Sequence, residues 1–229
     1  MYDQVMDILE RSRYSVLSDG DDLEQVFRLR YECYRGENAI LKNERRIMTD
    51  AYDESPHCIH VAVEMDDMYV AALRLHLISE ETLSSPSLEV FPEVMDLFRP
   101  GQTILDPTRF VVHPEARRNG LPLHLAALRI PFLAAMHYEV DIALAAVRAE
   151  HTAFYLRYLG YESFTAPRPY LGLTKPLGLM TAKFKENRDR VLKRYPFFGP
   201  VDDVPHANIR FPSVPGVYDA EGQLVAQVA

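Results

Sequence analysis

Three arginines and three aspartates are the residues of this sequence best placed to do chemistry, because the arginines lie on otherwise apolar elements and the aspartates are available as their partners. They are Arg30, Arg74, Arg109, Asp50, Asp53 and Asp106. A buried guanidinium is costly without an anion beside it, so each arginine should meet a carboxylate or a ligand. The set could bind the carboxylate or ammonium group of an amino acid. Alternatively, it forms an ion-pair network that only fixes a loop to a sheet.

The first half of the chain is expected to carry four of these residues on a helix, a loop and a hairpin. Residues 21–35 repeat apolar residues at helical spacing, and Arg30 lies in that stripe or reaches solvent at its edge. The polar stretch over residues 37–57 should hold a short helix and then a loop, TDAYDE, with two aspartates. Two strand-like runs then form a hairpin that turns at residues 66–67 and places Arg74 on the face opposite the leucines.

The segment TILDPTRFVV, residues 103–112, is predicted to be a strand with a bulge at Pro107. Proline cannot donate to a β-ladder, so it interrupts regular pairing. A bulge shifts the alternation of side chains by one residue. Asp106 and Arg109 are therefore expected on the same face of the strand.

A basic turn, R-R-N-G-L-P, connects this strand to a predicted amphipathic helix. Backbone amides at the start of a helix attract phosphate, although such turns also serve as plain connectors. The apolar run DIALAAV predicts a buried strand, and HTAFYLRYLGY predicts a helix that ends at Gly160. A last, basic helix is predicted over residues 183–194.

This order of elements resembles the GNAT acyltransferase superfamily, on an R-x-x-G-x-P turn and an H-x-x-F-Y-x-R-x-x-G-Y helix. The charged set is similar to that of acyl-homoserine lactone synthases, with Asp106 in place of a glutamate and Thr108 in place of a serine. The H-x-x-F-Y helix is more similar to the related bacterial N-acyl amino acid synthases. The resemblance implies an α/β (α+β) fold of three layers, in which helices flank a central mixed, split β-sheet.

The resemblance also implies which residues bind the substrates. An acyl thioester, on acyl carrier protein or acyl-CoA, would be held through its phosphates and pantetheine by Arg117, Arg118, Gly120 and His151. The amine acceptor, an amino acid or similar small molecule, would be bound by Arg30, Asp50, Asp53, Arg74, Phe110 and Val111. Pro122 replaces the final small residue of the family's turn. We expect no permanently bound cofactor and, from the histidine spacing, no metal.

Aminolysis of a thioester needs a neutral amine, a pocket for the developing oxyanion and a thiolate that can leave. Asp106 is the candidate that accepts the ammonium proton, directly or through water, and Arg109 completes the predicted catalytic set. Tyr155 is the candidate acid for the thiolate, or an ordinary core aromatic like Phe154 and Tyr158 on its helix. A backbone N–H near Phe110 and Val111, beside the bulge, would stabilise the oxyanion.

Charge indicates the acyl donor. Residues 183–194 hold six basic and two acidic side chains, in a chain with 25 basic and 33 acidic residues and a net charge of −8. Acyl carrier protein is strongly acidic and would be steered to such a helix. Alternatively, the helix is simply a solvated amphipathic one.

Composition excludes several classes of protein. An acidic chain of 229 residues is a poor general binder of nucleic acid, and no run approaches the ~18 apolar residues of a membrane span. Cys33 and Cys58 match no metal or redox spacing, and the acidic start is unlike a signal peptide, so we expect a cytoplasmic protein. One acyltransferase domain is expected over residues 1–195, and a Pro-rich tail, ordered only in part, over residues 196–229.

The leading interpretation is therefore an N-acyltransferase that moves a fatty acyl chain to an amino acid. One alternative is synthesis of an acyl-homoserine lactone from S-adenosylmethionine, which the absence of tryptophan and the H-x-x-F-Y helix disfavour. Another is short-chain acetyl transfer from coenzyme A. A last alternative is a degenerate member that only binds acyl chains or a partner protein.

Overall fold

The structure is a computed structural model that describes residues 1–18, 20–115, 120 and 122–217. Its helices are α1 (Tyr2–Arg11), α2 (Gly20–Gly36), α3 (Pro86–Val90), α4 (Leu123–His137), α5 (Ala149–Phe154) and α6 (Phe184–Arg194). Its strands are β1 (Ser12–Leu17), β2 (Cys58–Met65), β3 (Met68–Ile78), β4 (Ile104–Val112), β5 (Ile142–Val147), β6 (Glu162–Ser163) and β7 (Gly178–Lys183). Short 3-10 helices cover Ala51–Glu54, Pro92–Asp96, Pro196–Phe198 and Pro205–Ala207, and a π-helical turn covers Tyr155–Leu159.

The strands form one mixed sheet in the order β1-β2-β3-β4-β5-β7-β6. Neighbouring strands are antiparallel except β4 and β5, which run parallel. These two strands pair only where residues 104–105 meet residues 142–143, and they part beyond that point. The predicted α/β fold with a mixed sheet is confirmed, and the opening between β4 and β5 positions the site.

Helices cover both faces of the sheet. On one face α1, α4 and α6 pack against a core that includes Leu73, Leu75 and Leu77 of β3. On the other face α2 packs against Ala62 and Ala72, whose small side chains let the helix approach closely. None of the helices in the described ranges is both long and apolar enough to cross a membrane.

The hairpin that the sequence predicts is present, and β4 contains a bulge. The bulge lies at residues 109–110 and not at Pro107, which is paired with Leu75 in regular register, so its predicted position is wrong. β2 and β3 are joined at Asp66 and Asp67, whose φ angles of 53° and 61° are those of a primed hairpin turn. Residues 72–74 of β3 lie opposite residues 108–111 of β4, so β4 contains one extra residue. Arg109, with a φ of 54°, lies within this bulge, which turns its side chain to the face that bears the other arginines.

Two local predictions are wrong in detail. No helix forms over residues 37–50, and the short helix of this stretch lies instead within the TDAYDE segment, at Ala51–Glu54. Helix α3 was not predicted, because five residues are too few for a periodic pattern. It begins after Ser85, whose hydroxyl accepts a hydrogen bond from the Leu88 N–H at 3.2 Å.

The expected partial order of the C-terminal tail is wrong for residues 196–217. Phe197 and Phe198 are 1% exposed and pack into the main core, where Phe198 stacks on Phe132 with ring centroids 5.5 Å apart. The guanidinium of Arg129 donates to backbone carbonyls of the same segment. These contacts bury the segment against α4, so it is part of the domain. Residues 218–229 lie outside the described residues.

Candidate active site

Five predicted residues meet in one network of ion pairs, which we call the charged cluster: Arg30, Asp50, Asp53, Arg74 and Arg109. Arg30 Nη1 and Arg74 Nη1 lie 2.6 and 2.8 Å from Asp53 Oδ1. Arg74 and Arg109 both bind Asp50, at 2.7 and 2.6 Å. Arg30 and Arg74 are fully buried. The interpretation that Arg30 reaches solvent at the edge of its stripe is therefore wrong.

The TDAYD segment places both carboxylates by its own local hydrogen bonds. Asp50 caps the short helix Ala51–Glu54, and its Oδ1 accepts from the Tyr52 N–H at 3.0 Å. Asp53 Oδ2 accepts from the Asp50 N–H at 2.8 Å. This reciprocal arrangement is a capping box, and it holds the two aspartates in fixed relation to each other.

The cluster keeps its charges in the folded state. Burial opposes ionisation of Asp53, but the neighbouring Arg30 and Arg74 overcome it and hold the pKa of that carboxyl well below its ordinary value. The pKa of Asp50 is lowered in the same way, against its own burial, by Arg74 and Arg109. Three guanidinium groups against two carboxylates leave one net positive charge.

His60 completes the cluster and was not predicted. Its Nδ1 lies 3.2 Å from Arg30 Nη2, and its Nε2 lies 3.0 Å from the backbone oxygen of Asp53. Because a carbonyl can only accept, Nε2 carries the proton and Nδ1 accepts from Arg30. Burial lowers the pKa of His60, which favours this neutral form.

A cavity of about 680 Å³ is lined by Arg109 of the charged cluster and by apolar side chains of the interior. Thr108, Arg109 and Phe110 line it beside the bulge. Its apolar wall comes from α4 and β5 and includes Leu128, Phe132, Ala135, Ala143, Ala145 and Val147. The cavity thus occupies the opening between β4 and β5, and it joins a charged end to an apolar one.

Asp106 does not meet the cavity directly. It is fully buried and is absent from the described residues that line the cavity. Its Oδ2 accepts from the Ser87 N–H at 3.0 Å, and its Oδ1 accepts from the Ser87 hydroxyl at 2.7 Å. Burial raises the pKa of this carboxyl.

Tyr155 lies on the cavity wall, in the π-helical turn. Its ring centroid is 5.3 Å from that of Tyr161, which also lines the cavity. Burial raises the pKa of Tyr155 to about 12, so its hydroxyl keeps its proton at neutral pH. The ring also packs against the core, so the structure accommodates both interpretations of this residue.

The two strand residues near the bulge have different surroundings. Phe110 lines the cavity, whereas Val111 is 3% exposed and packs under α2. On the β5 side, β4 pairs only at Ile104 and Leu105 within the described chain. The backbone of β4 beside Phe110 is therefore available to a ligand.

The predicted phosphate-binding residues are described only in part. Arg117 and Arg118 lie outside the described residues. Gly120 lines the cavity with a φ of 68°, a left-handed conformation that glycine adopts readily. His151 also lines the cavity and is exposed, with its Nε2 2.9 Å from Arg148 Nη2. These two residues therefore lie at the same cavity as Arg109.

Helix α6 forms as predicted, with Phe184 and Val191 buried against the core. Its cations point outward, although Lys185 Nζ binds Asp141 at 2.8 Å and Arg188 Nε lies 2.9 Å from Asp189. Arg188 also lines the cavity. The basic helix thus borders the cavity.

The fold is shared with solved structures of N-acyltransferases, and the class of this chain follows from its family. The family model described as N-acyl amino acid synthase FeeM matches residues 25–183, which is more than half of the chain. The chain belongs to this family and is an acyltransferase. A search of curated proteins found no match.

Solved structures agree with this assignment at the level of the fold. FeeM, an N-acyl amino acid synthase from uncultured soil microbes, has a TM-score of 0.65 and 13% identity, over 80% of this chain and 96% of FeeM. BjaI, a CoA-dependent acyl-homoserine lactone synthase with SAM and isopentyl-CoA, has a TM-score of 0.59 and 18% identity, over 86% of this chain and 99% of BjaI. The predicted resemblance to both classes is confirmed.

Proposed function

We propose that this chain transfers a long acyl chain from the thioester of acyl carrier protein to the amine of an amino acid. The observation that carries the proposal is the position of Arg109, which belongs to the charged cluster and also lines the apolar cavity. An acyl chain in the cavity and an acceptor at the cluster would meet at the bulge of β4. This arrangement brings a thioester carbonyl and an amine to the same place.

The charge of the cluster fits an amino acid as the acceptor. One net positive charge matches the carboxylate of an amino acid, and Arg109, at the cavity, is the guanidinium best placed to bind it. Asp50 has 22% of its side chain exposed and can accept from the ammonium group. Arg30, Arg74 and Asp53 hold these two groups in position.

In the proposed reaction, the amine nitrogen attacks the thioester carbonyl, a C–N bond forms and the C–S bond breaks. Backbone N–H groups of β4 near Phe110 and Val111 stabilise the oxyanion. Asp106 is the final acceptor of the proton that the amine loses. Tyr155 gives a proton to the leaving thiolate, so an amide and a thiol are the products.

The donor is proposed to approach from the side of α6. Gly120 and His151 line the cavity and are proposed to hold the pantetheine arm, and Arg117 and Arg118 are proposed to bind its phosphate. The exposed cations of α6 would meet the acidic surface of the carrier protein. Acyl-CoA is the alternative donor.

The proposal is tested by incubating the purified chain with acyl carrier protein loaded with short to long acyl chains and with a mixture of amino acids. We expect an N-acyl amino acid by mass spectrometry and release of one thiol per product. Parallel reactions replace the carrier protein by CoA or the amino acids by S-adenosylmethionine. Product only with S-adenosylmethionine, or no product at all, would overturn the proposal.

A variant pair checks the role of Asp106. Asp106→Asn should lower turnover while the circular dichroism spectrum stays that of the native chain. Asp96→Asn is the matched control, because Asp96 is exposed at the end of a 3-10 helix. Equal turnover in the two variants would remove Asp106 from the reaction.

A further inference from the structure

Two hydroxyl groups bridge the gap between the cavity and the buried Asp106. Tyr170 lines the cavity and is 6% exposed. Its hydroxyl oxygen lies 3.2 Å from Ser87 Oγ, and Ser87 Oγ lies 2.7 Å from Asp106 Oδ1. Ser87 itself is fully buried. A continuous hydrogen-bonded chain therefore runs from the cavity wall to the carboxylate.

The direction of these hydrogen bonds follows from the Asp106 carboxylate, which is the last acceptor. An ionised carboxylate can only accept, so the Ser87 hydroxyl donates to Asp106. The Ser87 oxygen is then left to accept from the Tyr170 hydroxyl. With its proton directed at Ser87, the Tyr170 oxygen has lone pairs left to accept a hydrogen bond from a ligand in the cavity.

The position of Ser87 is fixed by its helix. The segment S-S-P-S starts α3, with Ser85 as the cap and Pro86 in the first turn. The Ser87 N–H is one of the amides that a helix start leaves without a helical partner, and it donates to Asp106 Oδ2 at 3.0 Å. Ser87 thus binds both carboxylate oxygens, which holds Asp106 and the hydroxyl in fixed relation.

We propose that Tyr170 is a catalytic residue, whose oxygen takes the proton of the acceptor amine while Ser87 passes a proton on to Asp106. This inference rests on the proposed function. It explains how Asp106, which does not line the cavity, can accept a proton from an amine bound there. Asp106 and Ser87 act through Tyr170 and are positioning residues in this sense.

The proton transfers balance over Tyr170, Ser87 and Asp106. As the C–N bond forms, one proton leaves the nitrogen for the Tyr170 oxygen, the tyrosine proton moves to Ser87, and the serine proton moves to Asp106. The carboxylate becomes a carboxylic acid, and both hydroxyls end as they began. The pKa of Tyr170 is raised by burial and by Asp106, so it stays a phenol, and the raised pKa of Asp106 favours holding the proton.

Tyr161 is the nearest competitor for this role. It lines the cavity, and Asp106 contributes to raising its pKa, after burial and together with Tyr155. Within the described part of the chain, however, Tyr161 makes no hydrogen bond to Ser87 or Asp106. Tyr170 is the tyrosine whose hydroxyl is hydrogen-bonded to Ser87, so substitution of each tyrosine distinguishes the role of Tyr170 from that of Tyr161.

The test compares Tyr170→Phe, Ser87→Ala and the double variant with the wild-type chain. We expect kcat to fall by about 100-fold or more in each, with little change in KM for the acyl thioester. Because the three groups act as one unit, the double variant should be no slower than either single variant. The kcat of Tyr170→Phe should keep rising with pH up to the pKa of the amine, since solvent must then remove the proton.

Controls separate this inference from the proposed function. Tyr138→Phe removes another buried phenol, one that donates to the Pro212 carbonyl away from the cavity, and it should leave kcat unchanged. Wild-type kcat and pH profile in Tyr170→Phe would overturn the relay and leave the proposed function standing. Additive losses in the double variant would also overturn it. Absence of any acylated amine from the wild-type chain would overturn both.

Discussion

Arg74 faces Asp50 through two parallel hydrogen bonds, Nη1 to Oδ1 at 2.7 Å and Nη2 to Oδ2 at 3.0 Å. Such bidentate pairs fix orientation as well as distance. Asp50 Oδ2 also accepts from Arg109 Nη2 at 2.6 Å, so one carboxylate joins β3 to the bulge of β4. The loop with Asp50 is therefore held to both strands that border the cavity.

Removal of the charge on Asp53 should destabilise the fold strongly. Arg30 is fully buried, and Asp53 is its paired carboxylate. Asp53→Asn would leave a buried guanidinium with no opposite charge bound to it, and we expect the free energy of unfolding to fall by about 3–5 kcal/mol. Urea denaturation at pH 7 measures the change.

The matched control is Glu24→Gln, which breaks the exposed pair between Glu24 and Arg28 on α2. Both of these side chains are more than half exposed, so the loss should stay below about 1 kcal/mol. Losses of equal size in the two variants would contradict the view that burial makes the Asp53 pair important.

His76 should make the fold less stable as the pH falls. It is fully buried, neither ring nitrogen has a hydrogen-bond partner in the described part of the chain, and burial lowers its pKa to about 3. Between pH 6.5 and 3 the unfolded chain therefore binds one proton that the folded chain does not. The contribution of His76 to stability falls in that window by about 1.4 kcal/mol per pH unit.

His76→Phe isolates this effect, because phenylalanine keeps a ring against Tyr52 and cannot titrate. Unfolding free energies of both chains are compared between pH 6.5 and 4.5. Asp53 does not affect this comparison. Because the pKa of Asp53 is lowered in the folded chain, its contribution to stability is fully present above the ordinary aspartate pKa and is lost only as the pH falls below that value. The variant should show the shallower slope, and parallel curves would contradict the assignment.

Sequence periodicity predicted the parts of the site that lie on long, regular elements. Alternation along β3 placed Arg74 opposite the leucines, and this prediction holds because alternation depends on local backbone geometry. A bulge in β4 was expected at Pro107, but it lies at residues 109–110, so the proline alone did not give its position.

Other parts of the site depend on contacts between distant segments. Tyr170 lies in an irregular segment without periodicity, and its link to Ser87 spans 83 residues. Arg129 offered a signal, a cation in the apolar helix α4, but its acceptors are carbonyls such as those of Phe197 and Gly199. The prolines of this segment and its lack of periodic apolar residues predicted a partly ordered tail, because composition does not reveal such long-range partners.

A larger side chain at Ala145 should shorten the acyl chain that the protein accepts. Ala145 lies on β5, is 6% exposed and lines the cavity. Ala145→Phe would fill part of the apolar end, so the ratio of kcat/KM for long to short acyl thioesters should fall by about tenfold or more. Competition between chain lengths in one reaction, read by mass spectrometry, measures the ratio directly.

Ala153→Phe is the control for this substitution, because Ala153 is exposed on α5 and is not among the lining residues of the cavity. It introduces the same side chain at a helix surface. Its chain-length ratio should equal that of the wild-type chain. An unaltered ratio in Ala145→Phe would show that acyl chains bind elsewhere.

Charge reversal on α6 should weaken the use of acyl carrier protein. Lys185 and Arg188 are half and about one-third exposed, and Lys193 is exposed near the end of the helix. The variant Lys185→Glu/Arg188→Glu/Lys193→Glu replaces three cations by anions that repel an acidic partner. At low salt, kcat/KM of the variant for the acylated carrier protein should be about 10–100-fold below that of the wild-type chain. Added salt should reduce this difference between variant and wild type.

Arg13→Glu tests whether any loss is specific to this helix. Arg13 is exposed on β1, at the edge of the sheet opposite β6 and β7, whereas α6 packs beside β5 and β7. Reversal there should change kcat/KM little, since charges beyond a Debye length of ~10 Å are screened. If kcat/KM for the acylated carrier protein is the same in the α6 variant and the wild-type chain, the helix is only a solvated surface. If it instead loses activity with acyl-CoA alone, α6 binds the nucleotide phosphates and the carrier-protein donor is wrong.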